Sequence, residues 1–233
     1  MANFHVIIPV AGAGSRMGSS VPKQYLPLFG KPVIQHTLAV FSINPRISSI
    51  TLALSTEDTF WDAANISLSA KTQVLRCGGS TRAATVLNAL DAIQNQVHMD
   101  DWILVHDAVR PGLSIALLNQ LLYALENDPV GGLLAIPLAD TLKRADAEQR
   151  VAGTEPREGL WHAQTPQMFR YDLLKRALQQ AGDAPTDEAQ AVEELGLRPK
   201  LVQGELRNLK ITYPQDLALI EAIFSADHRE NRK

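Results

Sequence analysis

Two cations bracket a glycine-rich turn near the start of this 233-residue chain: Pro9-Val10-Ala11-Gly12-Ala13-Gly14-Ser15-Arg16-Met17-Gly18-Ser19-Ser20-Val21-Pro22-Lys23. The turn follows His5-Val6-Ile7-Ile8, an apolar run with the length and β-branched content of a buried strand. Glycines let the backbone turn tightly and approach a ligand, because no Cβ intervenes. Successive N–H groups in such a loop form a concavity suited to phosphate oxygens. With Arg16 and Lys23 at its far end, the segment reads as a polyphosphate site. No Gly-Lys-Ser/Thr stands at Walker spacing, and Gly12, Gly14 and Gly18 give G-x-G-x-x-x-G, one residue too long for a dinucleotide fingerprint. Nor does a second strand end in a clear ribose-binding acid. Taken alone, the loop also fits a glycine-rich surface turn with two solvated cations.

The elements that must position these residues alternate. After the first strand, Pro32 opens a helical pattern through Val33, Ile34, Thr37, Leu38 and Phe41, stopped at Asn44-Pro45. Strands are expected at Ile50–Leu54, Gln73–Arg76, Trp102–Val105 and Gly131–Pro137. Helices are expected near Glu57–Asn65, after the Ser80-Thr81 cap, and at Ile115–Leu125. Further on come helices at Tyr171–Ala181 and Asp187–Leu195, strands at Lys200–Gln203 and Asn208–Ile211, and a helix opened by Pro214. The alternation predicts an α/β fold, an open, mostly parallel twisted sheet with helices on both faces. Between them, Asp140–Asp146 and Arg150–Arg157 are polar and alternating, which predicts a hairpin arm over about 138–160 standing off a single domain spanning 1–233. Such an exposed ribbon is either a mobile arm or an element that pairs with another subunit.

Composition narrows the classes. There are 22 basic against 25 acidic residues, so no extended nucleic-acid footprint is indicated. The single cysteine, Cys77, has no internal disulfide partner and fits a reduced, cytoplasmic thiol. Strand material beginning close to Met1 leaves no room for a signal peptide, and no apolar run approaches the roughly 20 residues that cross a bilayer.

Open α/β sheets bind ligands beyond the carboxyl ends of their strands. Three segments are placed there: Gly78-Gly79-Ser80-Thr81-Arg82-Ala83-Ala84-Thr85, then His106-Asp107-Ala108-Val109-Arg110-Pro111, then Pro137-Leu138-Ala139-Asp140-Thr141. Asp107 is the strand-end acid best placed to meet a divalent cation on a nucleotide. Its plain alternative is a loop carboxylate paired with Arg110.

These segments, in order, resemble the cytidylyltransferases of 2-C-methyl-D-erythritol 4-phosphate. The resemblance is carried by Pro9–Met17 with Pro22-Lys23-Gln24-Tyr25, by Gly78-Gly79-x-x-Arg82, and by His106–Pro111. It continues through Asp140-Thr141-Leu142-Lys143, Leu160–Gln167, Thr186-Asp187-Glu188-Ala189 and Asn208-Leu209-Lys210-Ile211-Thr212. It implies a Rossmann-like nucleotidyltransferase fold and a reaction of the non-mevalonate isoprenoid pathway. In that reaction the 4-phosphate of the acceptor attacks the α-phosphorus of CTP and expels pyrophosphate. Position by position, the resemblance makes Arg16 and Lys23 the cations that stabilise the transition state. It makes Arg157 and Lys210 the pair holding the acceptor phosphate, with Thr141, Thr165 and Thr186 as substrate-side contacts. Ala11, Gly12, Gly14, Gly78, Arg82, Thr85, Asp107 and Ala108 fall around the nucleotide, with Thr85 where many members carry serine. A divalent cation, Mg²⁺ first, is implied, held mostly by phosphate oxygens with Asp107 as the candidate protein ligand. A homodimer whose arm covers the neighbouring site is implied too.

Each residue has a plainer reading. Alone, Arg157 is a solvated cation on a polar ribbon and Thr165 a turn residue before Pro166. Trp161 packs the base of the arm, and His106 is a core histidine bonded to backbone. A lysine inside a strand pattern, as at Lys210, is costly unless it reaches an edge or a ligand. The competing functions are a cytidylyltransferase for another polyol phosphate such as ribitol 5-phosphate, a transferase using UTP or dTTP, and a non-catalytic nucleotide-binding module on the same fold.

Overall fold

Strict alternation along the central strands divides the interior in two. The computed structural model describes residues 2–12, 18 and 20–230. On β1 (Phe4–Pro9), Val6 and Ile8 face one side and Ile7 the other. The same split separates Leu104 from Ile103 and Val105, and Leu134 from Leu133. Helices cover both sides, as a sheet buried on both faces requires. One face carries α1 (Val33–Ile43) and α3 (Ile115–Leu125). The other carries α2 (Arg82–Ala92), α4 (Tyr171–Ala181) and the short α5 (Glu188–Glu193). In α3, Leu117, Leu118, Leu121, Leu122 and Leu125 form one buried stripe, started by Ser114, whose hydroxyl accepts from the Leu117 N–H. The last helix, α6 (Pro214–Glu230), packs over a smaller cluster containing Leu28, Val109, Ile211 and Ile220.

The main sheet has seven strands in the order β11-β7-β10-β6-β1-β4-β5. Its members beside β1 are β4 (Ile47–Ala53), β5 (Thr72–Leu75), β6 (Trp102–Val105), β7 (Gly131–Pro137), β10 (Trp161–Arg170) and β11 (Lys200–Gln203). β1 lies between β4 and β6, parallel to both, so the chain reverses its direction of travel across the sheet at β1 and opens a crevice there. Two small antiparallel pairs stand outside it: β2 (Pro27–Leu28) with β3 (Lys31–Pro32), and β8 (Leu142–Ala145) with β9 (Val151–Glu155). The second pair is the expected arm. No described helix is long and apolar enough to cross a membrane.

Three local expectations are corrected. β10, absent from the sequence reading, is a ten-residue antiparallel strand between β6 and β7. Its buried Gln164, Thr165 and Gln167 break the apolar pattern of a central strand, and Pro166 argues against one. Pro166 is tolerated because it falls where the register with β7 shifts, between Ala163 and Gln167. The helix expected at Glu57–Asn65 shrinks to a 3₁₀ turn at Asp62–Ala64, since Asp58 accepts from the N–H groups of Phe60 and Trp61 in a local turn instead. Asn208–Ile211 is not a strand. Asn208 ends a 3₁₀ turn at Leu206–Asn208, and the stretch after it is tied to the turn after β6, by Ile211 N–H to the Val109 carbonyl and by Arg110 Nη1 to the Asn208 carbonyl.

Candidate active site

A cavity of about 290 Å³ opens at the carboxyl ends of β1 and β6. Its floor is the turn Pro9–Gly12, one wall is Gly79–Arg82 with Thr85, and the other is Asp107–Val109 with Lys23, Gln24 and Lys210. Close packing makes the first wall. A Cβ on Gly78 would lie 2.7 Å from the Ala11 Cβ and 2.8 Å from the Leu54 carbonyl oxygen, so only glycine lets the loop after β5 touch the loop after β1. Thr81 then caps α2 by accepting from Ala84 N–H, aiming the helix N-terminus at the cavity. The Thr85 hydroxyl accepts from Gly79 N–H and donates to the Thr81 carbonyl, so it fixes the loop's shape.

The electrostatic centre is Asp107, only 6% exposed. Its Oδ1 meets Arg82 Nε at 3.2 Å, and its Oδ2 meets Arg110 Nε at 3.1 Å and Lys210 Nζ at 3.0 Å. Burial alone would raise its pKa, but the cations outweigh burial and hold the carboxyl far below the usual range. Arg82 is also held by Glu188, whose Oε1 lies 2.6 Å from Nη1. Burial works against the Arg82 charge, and the two carboxylates beside it reverse the balance and raise its pKa. Burial pushes the Glu188 carboxyl up, with Arg82 opposing.

Behind Asp107 stands a neutral relay. The Thr165 hydroxyl accepts from Asp107 N–H at 3.0 Å and lies 3.0 Å from His106 Nδ1. His106 Nε2 reaches the Arg110 carbonyl at 3.3 Å, which places the ring proton on Nε2 and makes Nδ1 the acceptor of the Thr165 hydroxyl. Burial lowers the His106 pKa to about 3, so the ring is uncharged near neutrality. The arrangement suits anions: Lys23, Arg82 and Lys210 line the cleft, and Asp107 and Glu188 are the two carboxylates set against Arg82, Arg110 and Lys210.

The model of the family described as IspD, 2-C-methyl-D-erythritol 4-phosphate cytidylyltransferase, matches residues 4–226. The chain belongs to this family. It is 55% identical over 227 residues to the 2-C-methyl-D-erythritol 4-phosphate cytidylyltransferase of Dechloromonas aromatica, covering 97% of this chain and 99% of the relative. It is 57% identical over 227 residues to that of Nitrosospira multiformis, covering 96% and 98%. A crystal structure of 4-diphosphocytidyl-2C-methyl-D-erythritol synthase matches with a TM-score of 0.85 at 40% identity, over 96% of this chain and 99% of that one.

Within this cytidylyltransferase fold, Ala11, Gly12, Lys23, Arg82, Thr85, Asp107, Ala108 and Lys210 come together around one cavity, with Gly78 packed directly against Ala11. Lys23 Nζ donates to the Ile211 carbonyl at 3.0 Å, next in sequence to Lys210, whose own ammonium lies on Asp107. Gly14 and Arg16 lie outside the described residues. Thr141, Thr165, Thr186 and Arg157 do not line the cavity. Thr165 is buried behind Asp107, its hydroxyl accepting from the Asp107 N–H and lying 3.0 Å from His106 Nδ1. The Thr186 hydroxyl and N–H both donate to Gln190 Oε1 on an exposed loop. Thr141 and Arg157 sit on the exposed arm, Arg157 bonded to the Ala139 carbonyl.

Asp107 does not fit a metal ligand in this arrangement, because three cations already occupy its oxygens and would repel a divalent ion. Among the described residues no group of three His, Cys, Asp or Glu side chains could hold a metal. The pairing of Asp107 with Arg110, its plain alternative in sequence, is present, while the roles of Gln24, Glu188 and Asn208 escaped the sequence reading. Gln24 lies 3.4 Å from both the Val10 and Gly12 carbonyls, and Glu188 completes the charged cluster. Asn208 donates to the Thr165 carbonyl. All are polar residues far too buried for their type, a signal that only tertiary placement reveals.

Proposed function

We propose that this chain transfers the cytidylyl group of CTP to 2-C-methyl-D-erythritol 4-phosphate. An oxygen of the acceptor phosphate attacks the α-phosphorus and the bond to the β-phosphate oxygen breaks. Pyrophosphate leaves and 4-diphosphocytidyl-2-C-methyl-D-erythritol is formed, a step of non-mevalonate isoprenoid synthesis. The observation that carries this reading is the convergence of Lys23, Arg82 and Lys210 on one cavity at the strand ends, in a chain of this family. Two polyanions must meet there, and extra negative charge develops as the pentavalent phosphorus forms. Fixed ammonium and guanidinium groups stabilise that charge and hold the reactants in line.

Lys23 acts on the triphosphate and the developing charge, and the family pattern gives Arg16 the same role. Lys210 holds the acceptor phosphate. Gly12, Gly78 and Ala108 shape the nucleotide pocket, and Thr85 sets the loop that closes it. The substrate's own phosphate is the nucleophile, so no side chain need form a covalent intermediate. The neutral His106 keeps Thr165 and Asp107 in place rather than moving protons. CTP enters as its magnesium complex, the cation riding on phosphate oxygens.

The arm, whose two strands pair with each other alone in their sheet, reaches a second copy of the chain in a cytoplasmic homodimer, and there Arg157 completes the neighbouring site. Pyrophosphate release with CTP, Mg²⁺ and 2-C-methyl-D-erythritol 4-phosphate tests the reading, beside ribitol 5-phosphate and a UTP control. Turnover with the methylerythritol acceptor and CTP alone is expected. Turnover with ribitol 5-phosphate would move the acceptor, and inactivity of folded protein in every well would leave a nucleotide-binding module.

A further inference from the structure

Arg82 occupies an awkward place. It is the first residue of α2, where the helix dipole already concentrates positive charge, and it sits in the wall of the cavity. A guanidinium beside one carboxylate ordinarily grips it with two nitrogens, one on each oxygen. Here it does not. Arg82 gives Nε to Asp107 Oδ1 and turns Nη1 away to Glu188 Oε1, leaving Nη2 with no partner. Asp107 Oδ2 is thereby kept for Arg110 and Lys210.

Glu188 is built to do this. It is fully buried, an unusual position for a carboxylate, and its Oε2 has no hydrogen-bond partner, so Arg82 is its only hydrogen-bonding partner among the described residues. Its backbone position is fixed from both sides. Gln167 of β10 donates to Asp187 Oδ2 and accepts from Ala189 N–H, and Asp187 caps α5 through Gln190 N–H. An interior polar residue of the central sheet thus holds the stretch that presents Glu188.

We propose that Glu188 is a positioning residue of this active site: by holding Nη1 of Arg82 it fixes the guanidinium so that Nη2, the nitrogen on the same edge as Nε–H, does not swing onto Asp107 Oδ2, and so keeps Lys210 at its place on Asp107, ready for the acceptor phosphate. The identity of that phosphate rests on the function proposed above. The linkage itself, Glu188 to Arg82 to Asp107 to Lys210, rests on the four residues alone.

Two readouts keep the questions apart. In Glu188→Gln, which preserves shape and removes charge, kcat/KM for 2-C-methyl-D-erythritol 4-phosphate should fall about tenfold while the CTP dissociation constant stays within about twofold. Arg82→Met cannot form the grip, so Glu188→Gln in that background should add nothing. Independently of any turnover, reductive methylation of Lys210, followed by peptide mass spectrometry, should be faster in Glu188→Gln than in wild type, because the ammonium has lost its carboxylate. Unchanged Lys210 labelling in folded protein, or equal losses for CTP and acceptor, would overturn the proposal. Should Glu188→Gln fail to fold, Arg82→Met and Arg82→Met/Glu188→Gln, which leaves no unpaired buried charge, decide it. A further loss of acceptor kcat/KM, or faster Lys210 labelling, in the double variant relative to Arg82→Met would overturn it. Inactive wild type with a normal labelling difference would instead refute the assigned reaction and leave the linkage standing.

Discussion

Asp107 carries one negative charge that Arg82, Arg110 and Lys210 share at 3.0–3.2 Å. Removing one partner of a buried ionic cluster leaves the others desolvated and unbalanced, so Asp107→Asn should cost about 3–5 kcal/mol of stability. Urea denaturation checks this; a loss below about 1 kcal/mol would mean that water already screens the cluster. Lys23 is a different case, since its role is tied to charge that appears only during reaction. Lys23→Ala should lower kcat by about 10²–10³-fold with a smaller change in CTP affinity. A change confined to KM would refute that role. His106 yields a pH prediction. Its pKa is lowered by burial from 6.5 to about 3, so the unfolded chain binds this proton more readily than the folded one. Its contribution is fully present above pH 6.5 and is lost as pH falls from 6.5 towards 3, with a slope of up to about 1.4 kcal/mol per pH unit. His106→Asn should flatten that part of the stability curve relative to wild type, as followed by denaturation at several pH values.

The elements meet at contacts that leave no spare volume. The loop after β5 reaches the loop after β1 only because Gly78 has no side chain. Gly78→Ala should destabilise by about 1–3 kcal/mol through overpacking. It should also weaken CTP binding, since the displaced Ala11 lines the cavity. Thermal unfolding and calorimetric titration with CTP measure the two effects, and unchanged affinity would separate Gly78 from the nucleotide pocket. β10 has a matching role on the far side. It supplies Thr165 behind Asp107 and Gln167 beside Glu188, so one central strand supports both carboxylates of the cluster.

For the molecule as a whole, the arm raises the question of where Arg157 acts. Its guanidinium stands outside the cavity of its own chain, on a ribbon whose two strands pair with each other alone in their sheet. If it serves a second copy, mixing an Arg157→Ala chain with a Lys23→Ala chain should restore activity at one site of each hybrid dimer. Absence of recovery after confirmed subunit exchange would return Arg157 to its own chain.

The sequence by itself determined most of the alternating strands and helices, a cap at Ser80 or Thr81, and the charged residues beyond the strand ends. Those features are local: apolar period, capping chemistry and glycine placement act within a few residues of chain. The family was legible too, because its motifs are contiguous strings. The tertiary structure alone decided that β10 crosses the centre of the sheet, since its buried glutamines and Pro166 contradict a core strand until their partners are in place. It alone turned Asn208–Ile211 from a strand into a segment laid against the Asp107 turn. Asp107, Arg110, Lys210, Arg82 and Glu188 come from four distant parts of the chain, and beyond the near neighbours Asp107 and Arg110 nothing in local spacing says which carboxylate neutralises which cation. That pairing is set by desolvation and distance, which exist only once the sheet has brought its strand ends together.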